Sequence, residues 1–386
     1  MPHSNPSKPK LLFVVEAMGG GVFTYTVNLC NALTRWYDIC LAYAVRPQTP
    51  VDYLEYFDPA IHLVKVKDFT RPISPKKDIK AFMELKKIAK DFKPDVIHLH
   101  SSKAGVLGRI AFAFGKTPLF YTPHGYSFLM QGVGGKTKAM YYTIEWMLAK
   151  LPCTTISCSV GEHQQTLTLT HRAALVNNGI DTRELDEILA SSQDTQLLVP
   201  LKESILKGKN APCVYTLGRI CVQKNPQLFQ QMAQLLPEFD FLWIGDGELR
   251  EVLSAPNITI TGWTNRQQAL ALAQKANYFV LPSLWEGLPI SLLESMYLRK
   301  PCLVSNVIGN RDVVEHGKNG FIGDTAEQFA QSVRVLSNPH LCQSICDTAF
   351  QDVMEHYTVE TMAAGYHEIY NKAMGAMQVK EHTYPM

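Results

Sequence analysis

No apolar run in this 386-residue chain approaches the ~20 residues needed to cross a bilayer. The first residues, Met1 to Lys10, are polar and lack the apolar core of a signal peptide, so a cytoplasmic protein is expected. Charge of one sign is also missing. Lysine and arginine total 37 against 35 acids, a net charge of +2, which leaves no bulk electrostatic case for nucleic acid. The nine cysteines form no Cys-x-x-Cys spacing. The two close pairs, Cys153 with Cys158 and Cys342 with Cys346, have no histidines at zinc-site spacing, so reduced core thiols are expected. Asp-x-Asp occurs nowhere, which argues against a divalent metal. Gly19-Gly20-Gly21 lacks the third glycine of a dinucleotide fingerprint. The second strand ends in Arg46-Pro47 with no acid for a ribose, and both features argue against NAD.

What is present is a repeated alternation. Leu11–Val15, Ile39–Val45, Ile61–Val66, Val96–Leu99 and Leu119–Thr122 read as short strands, with helical stretches Phe23–Leu33, Ile79–Phe92 and Val106–Phe114 among them. Cys153–Ser157 is a further strand, and Asn177-Asn178-Gly179 marks a turn at a domain junction. A second set follows: Val214–Gly218, Phe241–Gly245, Ile258–Ile260, Tyr278–Pro282 and Cys302–Val304. Apolar strands alternating with amphipathic helices predict parallel sheets covered on both faces, hence two doubly wound Rossmann-like α/β halves. Open sheets of this kind bind ligands beyond their strand carboxyl ends, which predicts a site between the halves. The length, 386 residues, also suits two domains. The expected division is a disordered 1–9, a first domain over 10–181, a connection over 182–211, a second domain over 212–356, a closing helix over 357–375 and a tail over 376–386.

The most informative stretch follows the strand at Tyr278. Leu284-Trp285-Glu286-Gly287-Leu288-Pro289 is a tight loop, with Pro289 where a helix can begin and Glu294 inside that helix. A helix start offers unpaired N–H groups and partial positive charge to a phosphate. Carboxylates only accept hydrogen bonds, and sugar hydroxyls donate them. Carboxylates on both sides of such a start suit a ligand with phosphate in its middle and hydroxylated rings at its ends. A sugar nucleotide has that form.

Glu286 to Glu294 resembles the Glu-x7-Glu signature of the retaining glycosyltransferases of family 4, which have the two-domain GT-B fold with the domains facing across a cleft. The resemblance implies that Glu286 contacts donor-sugar hydroxyls, that Glu294 contacts the ribose, and that the Gly287-Leu288 amides approach the phosphates and sugar. Leu217-Gly218-Arg219 and Lys224, a strand end with two cations, match the family's diphosphate clamp. The usual Lys-Gly is here Lys224-Asn225, and asparagine tolerates the left-handed backbone that a glycine supplies. Gly20-Gly21 match the loop set against the donor phosphates. His124, in Thr122-Pro123-His124, matches the family's Thr-x-His element, in contact with donor or acceptor. Gly245, in Gly245-Asp246-Gly247-Glu248, falls near the nucleotide, and Gly262 beside the base. The Val359–Ala373 helix corresponds to the helix that closes on the first domain.

Several residues stay open at this stage. Trp263 is either a stacking residue or core. His98 and His100 share one strand face and read mainly as structural, with His100 nearer the cleft. Lys76 to Lys93 reads as a helix with Ile79, Phe82, Leu85 or Met83, and Ile88 or Ala89 on its inner face. Lys136 to Lys150 sets Tyr141, Tyr142 and Trp146 between lysines. Such runs are solvated faces, or contacts to an anionic membrane. The expected function is retaining transfer from a nucleoside-diphosphate sugar, UDP-linked before other nucleotides, to a glycan or lipid-linked acceptor in polysaccharide biosynthesis. No metal and no cofactor are expected, and peripheral contact with the inner membrane face is. A UDP-sugar 2-epimerase of the same fold and a non-catalytic sugar-nucleotide binder are the alternatives.

Overall fold

The computed structural model describes residues 8–70, 72–191 and 211–382. The chain divides into two compact units. The first holds residues up to Phe128, Gly134–Asn177 and the chain from Val359 on; the second holds Leu129–Val133 and Asn178–Thr358.

In the first unit, strands β1 (Lys10–Met18), β2 (Asp38–Val45), β3 (His62–Lys65), β4 (Val96–His100), β5 (Leu119–Thr122), β6 (Thr154–Ser157) and β7 (Ala173–Leu175) form one sheet in the order β3-β2-β1-β4-β5-β6-β7. Every pairing is parallel. Its helices are α1 (Gly20–Leu33), α2 (Pro75–Phe92), α3 (Ser102–Phe112), α4 (Gly135–Leu148) and α5 (Val160–Leu169). A parallel strand covered on both faces has no polar side, and Leu11 to Val15 are accordingly all buried. The register pairs Phe13 with His98 and Val15 with His100.

In the second unit, helix α6 (Thr182–Ser191) precedes strands β8 (Cys213–Leu217), β9 (Asp240–Ile244), β10 (Ile258–Ile260), β11 (Tyr278–Leu281), β12 (Cys302–Val304) and β13 (Phe321–Ile322). Their order is β10-β9-β8-β11-β12-β13, again parallel throughout. Helices α7 (Pro226–Leu235), α8 (Arg266–Lys275), α9 (Ile290–Tyr297), α10 (Ala326–Val335) and α11 (Pro339–His356) belong to this unit. Helix α12 (Val359–His382) returns to the first, where Val359, Met362, Ala363, Tyr366 and Tyr370 enter its core. Both sheets reverse strand order once, at β1/β4 and at β8/β11, and the crevice for a ligand lies at such a reversal.

Several expected boundaries are corrected. The first unit ends at Asn177 rather than Asp181, because the Ile180 amide donates to the Tyr357 carbonyl at 2.9 Å and ties the next residues to the second unit. The expected connection starts as helix α6, held there by Glu184 on Arg266 and by the Tyr297 hydroxyl on Asp186. Residues 192–210 of that connection, and the expected disorder before residue 8, lie outside the described residues. The closing helix begins at Val359, not 357, since Thr358 bridges Ile180. It runs to His382 through the expected tail, with no proline before Pro385 to stop it. Helix α1 begins at Gly20, with Gly19 as its N-cap, so the expected triple-glycine loop is a helix start. In α2 the buried residues are Ala81 and Leu85, while Ile79 and Met83 face outward. Of the nine cysteines, seven are buried and none forms a disulfide.

Candidate active site

In the second unit, loops from the carboxyl ends of β8, β9 and β11 meet at the strand reversal. Gly245 sits there at φ +137°, and a Cβ on it would lie 2.2 Å from the Gly218 carbonyl oxygen. Only glycine lets these two turns approach so closely. The Gly245 amide donates to Thr261 Oγ1 at 3.0 Å, and Gly245 bridges Gly262, which also has positive φ. These two predicted glycines are therefore neighbours. Trp263 beside them is 61% exposed, which rules out the core alternative.

After β8 the backbone turns through a short 3-10 segment to Asn225. Asn225 adopts φ +52°, the left-handed conformation expected of it, and its Oδ1 accepts from the Leu228 amide to cap α7. This geometry brings Lys224 back over the site. Its Nζ lies 2.7 Å from Glu286 Oε1, with both side chains largely buried. Glu286 Oε1 also accepts from Ser283 Oγ at 2.6 Å, and Oε2 from Gln223 Nε2 at 3.3 Å. The Leu284 amide donates to the Gln223 carbonyl, stitching the two loops together. Behind them, Ser305 Oγ donates to the Ser283 carbonyl, and Asn310 donates to Ser305. Gly309, at φ +86°, lies so near the Gly287 carbonyl that a Cβ would sit 2.4 Å from it.

Leu288 and Pro289 lead into α9, with Pro289 as the N-cap, so the helix starts where the sequence placed it. Asn178 Nδ2 donates to the Leu288 carbonyl at 2.8 Å, orienting the Gly287-Leu288 segment. The amides of Ile290 and Ser291 precede the first helical bond and are those that a helix start offers to an anion. One turn on, Glu294 is buried, and its Oε1 accepts from Arg266 at 2.6 Å. Arg266 also grips both oxygens of Glu184. Burial pushes the Glu294 carboxyl up from the ordinary value, against the downward pull of Arg266.

The two expected clamp cations are held by different carboxylates. Arg219 pairs through Nε with Glu248 at 2.9 Å, at the surface, and Lys224 pairs with Glu286. Sequence reasoning missed Ser283, Gln223, Glu248, Arg266 and Glu184 as partners, and took Asn178 only as a turn residue. Arg266 has no local signal, since its tie to Glu294 spans 28 residues.

In the first unit, Gly20 has φ +56°, and a Cβ at Gly20 or Gly21 would meet nothing within 4 Å. The start of α1 is thus open to an approaching group. Within this unit, at its own β1/β4 reversal, lies a histidine stack. His98 Nδ1 bonds Tyr370 Oη at 2.5 Å and its Nε2 bonds Thr122 Oγ1 at 2.9 Å, both structural roles. His100 lies flat on Phe13 and pairs through Nδ1 with His124 Nε2 at 3.1 Å. The buried His100 Nε2 has no partner among the described residues. Burial holds His98 and His100 well below the usual imidazole range and pushes His124 down to about 3. His124 carries φ +56°, a conformation that non-glycine residues adopt at a cost and that clusters at functional sites. Glu162 holds this turn, accepting from the Gly125 and Cys158 amides.

Two parallel α/β units of this kind define the GT-B architecture. The structure is similar to sucrose-phosphate synthase from Thermosynechococcus elongatus, with a TM-score of 0.79 at 15% identity over 95% of this chain and 100% of that one. It is also similar to HepE of Anabaena in complex with UDP and glucose, with a TM-score of 0.75 at 16% identity over 94% and 100%. In sequence, residues 19–184 match the family described as Glycosyltransferase Family 4, and residues 211–338 match Glycosyl transferases group 1. A relative from Escherichia coli, UDP-Gal:alpha-D-GlcNAc-diphosphoundecaprenol alpha-1,3-galactosyltransferase, is 31% identical over 69% of this chain and 72% of its own length. The O-antigen biosynthesis glycosyltransferase WbnH of Escherichia coli is 26% identical over 65% and 69%. The chain belongs to glycosyltransferase family 4.

Proposed function

We propose that the chain moves a hexosyl group from a UDP-sugar to a lipid-linked glycan acceptor in polysaccharide assembly, with retention of configuration and without a metal ion. The Lys224–Glu286 pair beside the start of α9 carries this reading: an ammonium and a carboxylate 2.7 Å apart, next to helix amides. Support for the donor and acceptor comes from the Escherichia coli relative, whose name pairs UDP-Gal with a diphosphoundecaprenol-linked sugar, and from HepE, solved with UDP and glucose.

In this reading the diphosphate lies at the first amides of α9, with Lys224 and Arg219 supplying positive charge, while sugar hydroxyls replace protein donors on Glu286. Glu294 faces the ribose. The bond from the sugar's anomeric carbon to the diphosphate oxygen breaks as charge on that oxygen grows, and this is the charge Lys224 and Arg219 stabilise. The acceptor hydroxyl attacks the anomeric carbon from the face the diphosphate leaves, which retains configuration, and its proton passes to a diphosphate oxygen. A neutral His124 accepts or donates one hydrogen bond to the sugar or acceptor. An acceptor of this class resides in a membrane, so the enzyme works from the cytoplasmic side as a peripheral protein.

The test is to incubate the purified chain with a panel of UDP-, GDP- and ADP-sugars and a polyprenyl-diphosphate sugar in EDTA, following nucleoside diphosphate release and the anomeric configuration of the product. Release of UDP from one UDP-sugar, with the anomer unchanged, is expected. Consumption of no UDP-sugar, loss of turnover in EDTA with recovery in magnesium, or a free epimerised UDP-sugar as the product would each overturn the assignment.

A further inference from the structure

From Ser101 to Asn177 the chain has only two acids, Glu145 and Glu162, against seven lysines and arginines. Both acids are buried. Glu145 is paired with Arg109 at 2.7 Å and bonded by the Tyr121 hydroxyl at 3.0 Å, and Glu162 holds the His124-Gly125 turn. This stretch, which belongs to the first unit apart from Leu129–Val133, therefore presents cations and no carboxylate to solvent.

Helix α4 concentrates that property. Glu145 is its one buried residue, while Met140, Tyr142, Trp146 and Met147 are exposed. An ordinary surface helix turns its apolar stripe inward and its charges outward. Here the acid points in, and aromatic and thioether groups point out. Lys136 and Lys138 stand in the first turns, with no acid among them, and Lys150 lies over the Trp146 ring at 3.3 Å. Cations at a helix start oppose the macrodipole, so helix stability does not account for them. The neighbouring helix α3, joined to α4 through Arg109–Glu145, adds exposed Ile110 and, just past its end, Phe114 at 84% exposure.

We propose that the outward face of α4, with Ile110 and Phe114, docks on an anionic lipid bilayer. Tryptophan and tyrosine suit the headgroup level, where one end of the ring is apolar and the other wet. Lysines beside them are drawn to the negative surface potential. A second copy of this face would bring like charge against like, which disfavours self-association. The proposal deepens the reading of a membrane-held acceptor by naming the surface that meets the membrane.

Sedimentation with vesicles of phosphatidylcholine alone, and of phosphatidylcholine with phosphatidylglycerol, tests it. The full chain should bind the anionic vesicles and not the neutral ones, and lose binding as salt rises. Lys136→Glu/Lys138→Glu/Lys150→Glu should weaken that binding about a hundredfold, at roughly tenfold or less per lysine. Trp146→Ser/Met147→Ser should weaken it about tenfold. Both variants should keep the wild-type circular dichroism spectrum and affinity for UDP. Equal partition of the wild type into both vesicle types, or wild-type binding by both folded variants, would overturn the proposal. Retention on immobilised polyglutamate without vesicle binding would overturn it in favour of an acidic protein partner. Because the readout is sedimentation and not turnover, vesicle binding without UDP-sugar consumption would sink the transferase reading alone.

Discussion

Replacing Lys224 by methionine, Glu286 by glutamine, and both together tests whether the ammonium and carboxylate at the site act as one unit. They lie 2.7 Å apart at side-chain exposures of 16% and 8%. Removing one partner of a buried pair costs about 3 to 5 kcal/mol, because the other charge is left without compensation. Ser283 and Gln223 stay on the carboxylate after Lys224→Met, so about 2 to 3 kcal/mol is expected there. Glu286→Gln leaves the ammonium a neutral acceptor and should cost about 1 to 2 kcal/mol. The double variant strands no charge, and its cost should fall short of the sum by about 1 to 2 kcal/mol. Urea unfolding at pH 7, fitted for the transition of the second unit, gives all three values. Costs that add within about 0.5 kcal/mol would mean the pair has no coupling, and the reasoning fails. Arg219 is the contrast, since its partner Glu248 is half exposed and such surface pairs contribute about 0 to 1 kcal/mol. Arg219→Ala should therefore leave unfolding nearly unchanged while slowing transfer by about a hundredfold.

Two further outcomes follow from the burial and the backbone. His98, His100 and His124 are held neutral in the fold, His124 with a value of about 3, whereas each takes a proton near 6.5 once unfolded. Stability of the first unit should fall as pH drops from about 6.5 towards 3, by up to about 1.4 kcal/mol per pH unit for each histidine; a urea midpoint equal at pH 7 and pH 5, or a slope no shallower in His124→Asn, would contradict this. Gly245→Ala places a methyl 2.2 Å from the Gly218 carbonyl at φ +137° and should cost about 3 kcal/mol or more in thermal or urea unfolding, whereas Gly21→Ala, with open space at its Cβ, should fold as wild type.

Much of the fold was readable because parallel strands buried on both faces are continuous apolar runs. Leu119–Thr122, Ile258–Ile260 and Cys302–Val304 appear where the sequence placed them. The two-residue strand Phe321–Ile322 was not readable, since a run that short carries no periodicity. Helix α2 shows a different limit. Of the residues that spacing put on an inner face, Leu85 is buried, yet Ile79 and Met83 are not and Ala81 takes a place there, because the neighbouring elements decide which stripe is covered. At the site, Asn225 was legible because left-handed backbone has a chemical signature. The separate anchoring of Arg219 and Lys224 was not, because Glu248 and Glu286 reach them only after distant loops converge.

The first unit is completed by a helix that comes after the whole of the second. Tyr366 and Tyr370 on that helix close over Tyr25 and His98, bonding them through their hydroxyls. During synthesis, the strands of the first sheet exist long before the rings that seal it, while Asn178–Thr358 is continuous and can mature as soon as it emerges. The order of maturation is therefore the reverse of the order of translation. A chain that stopped short of Val359 would carry every strand of both sheets yet lack Tyr366 and Tyr370, leaving the core of the first unit open on that side.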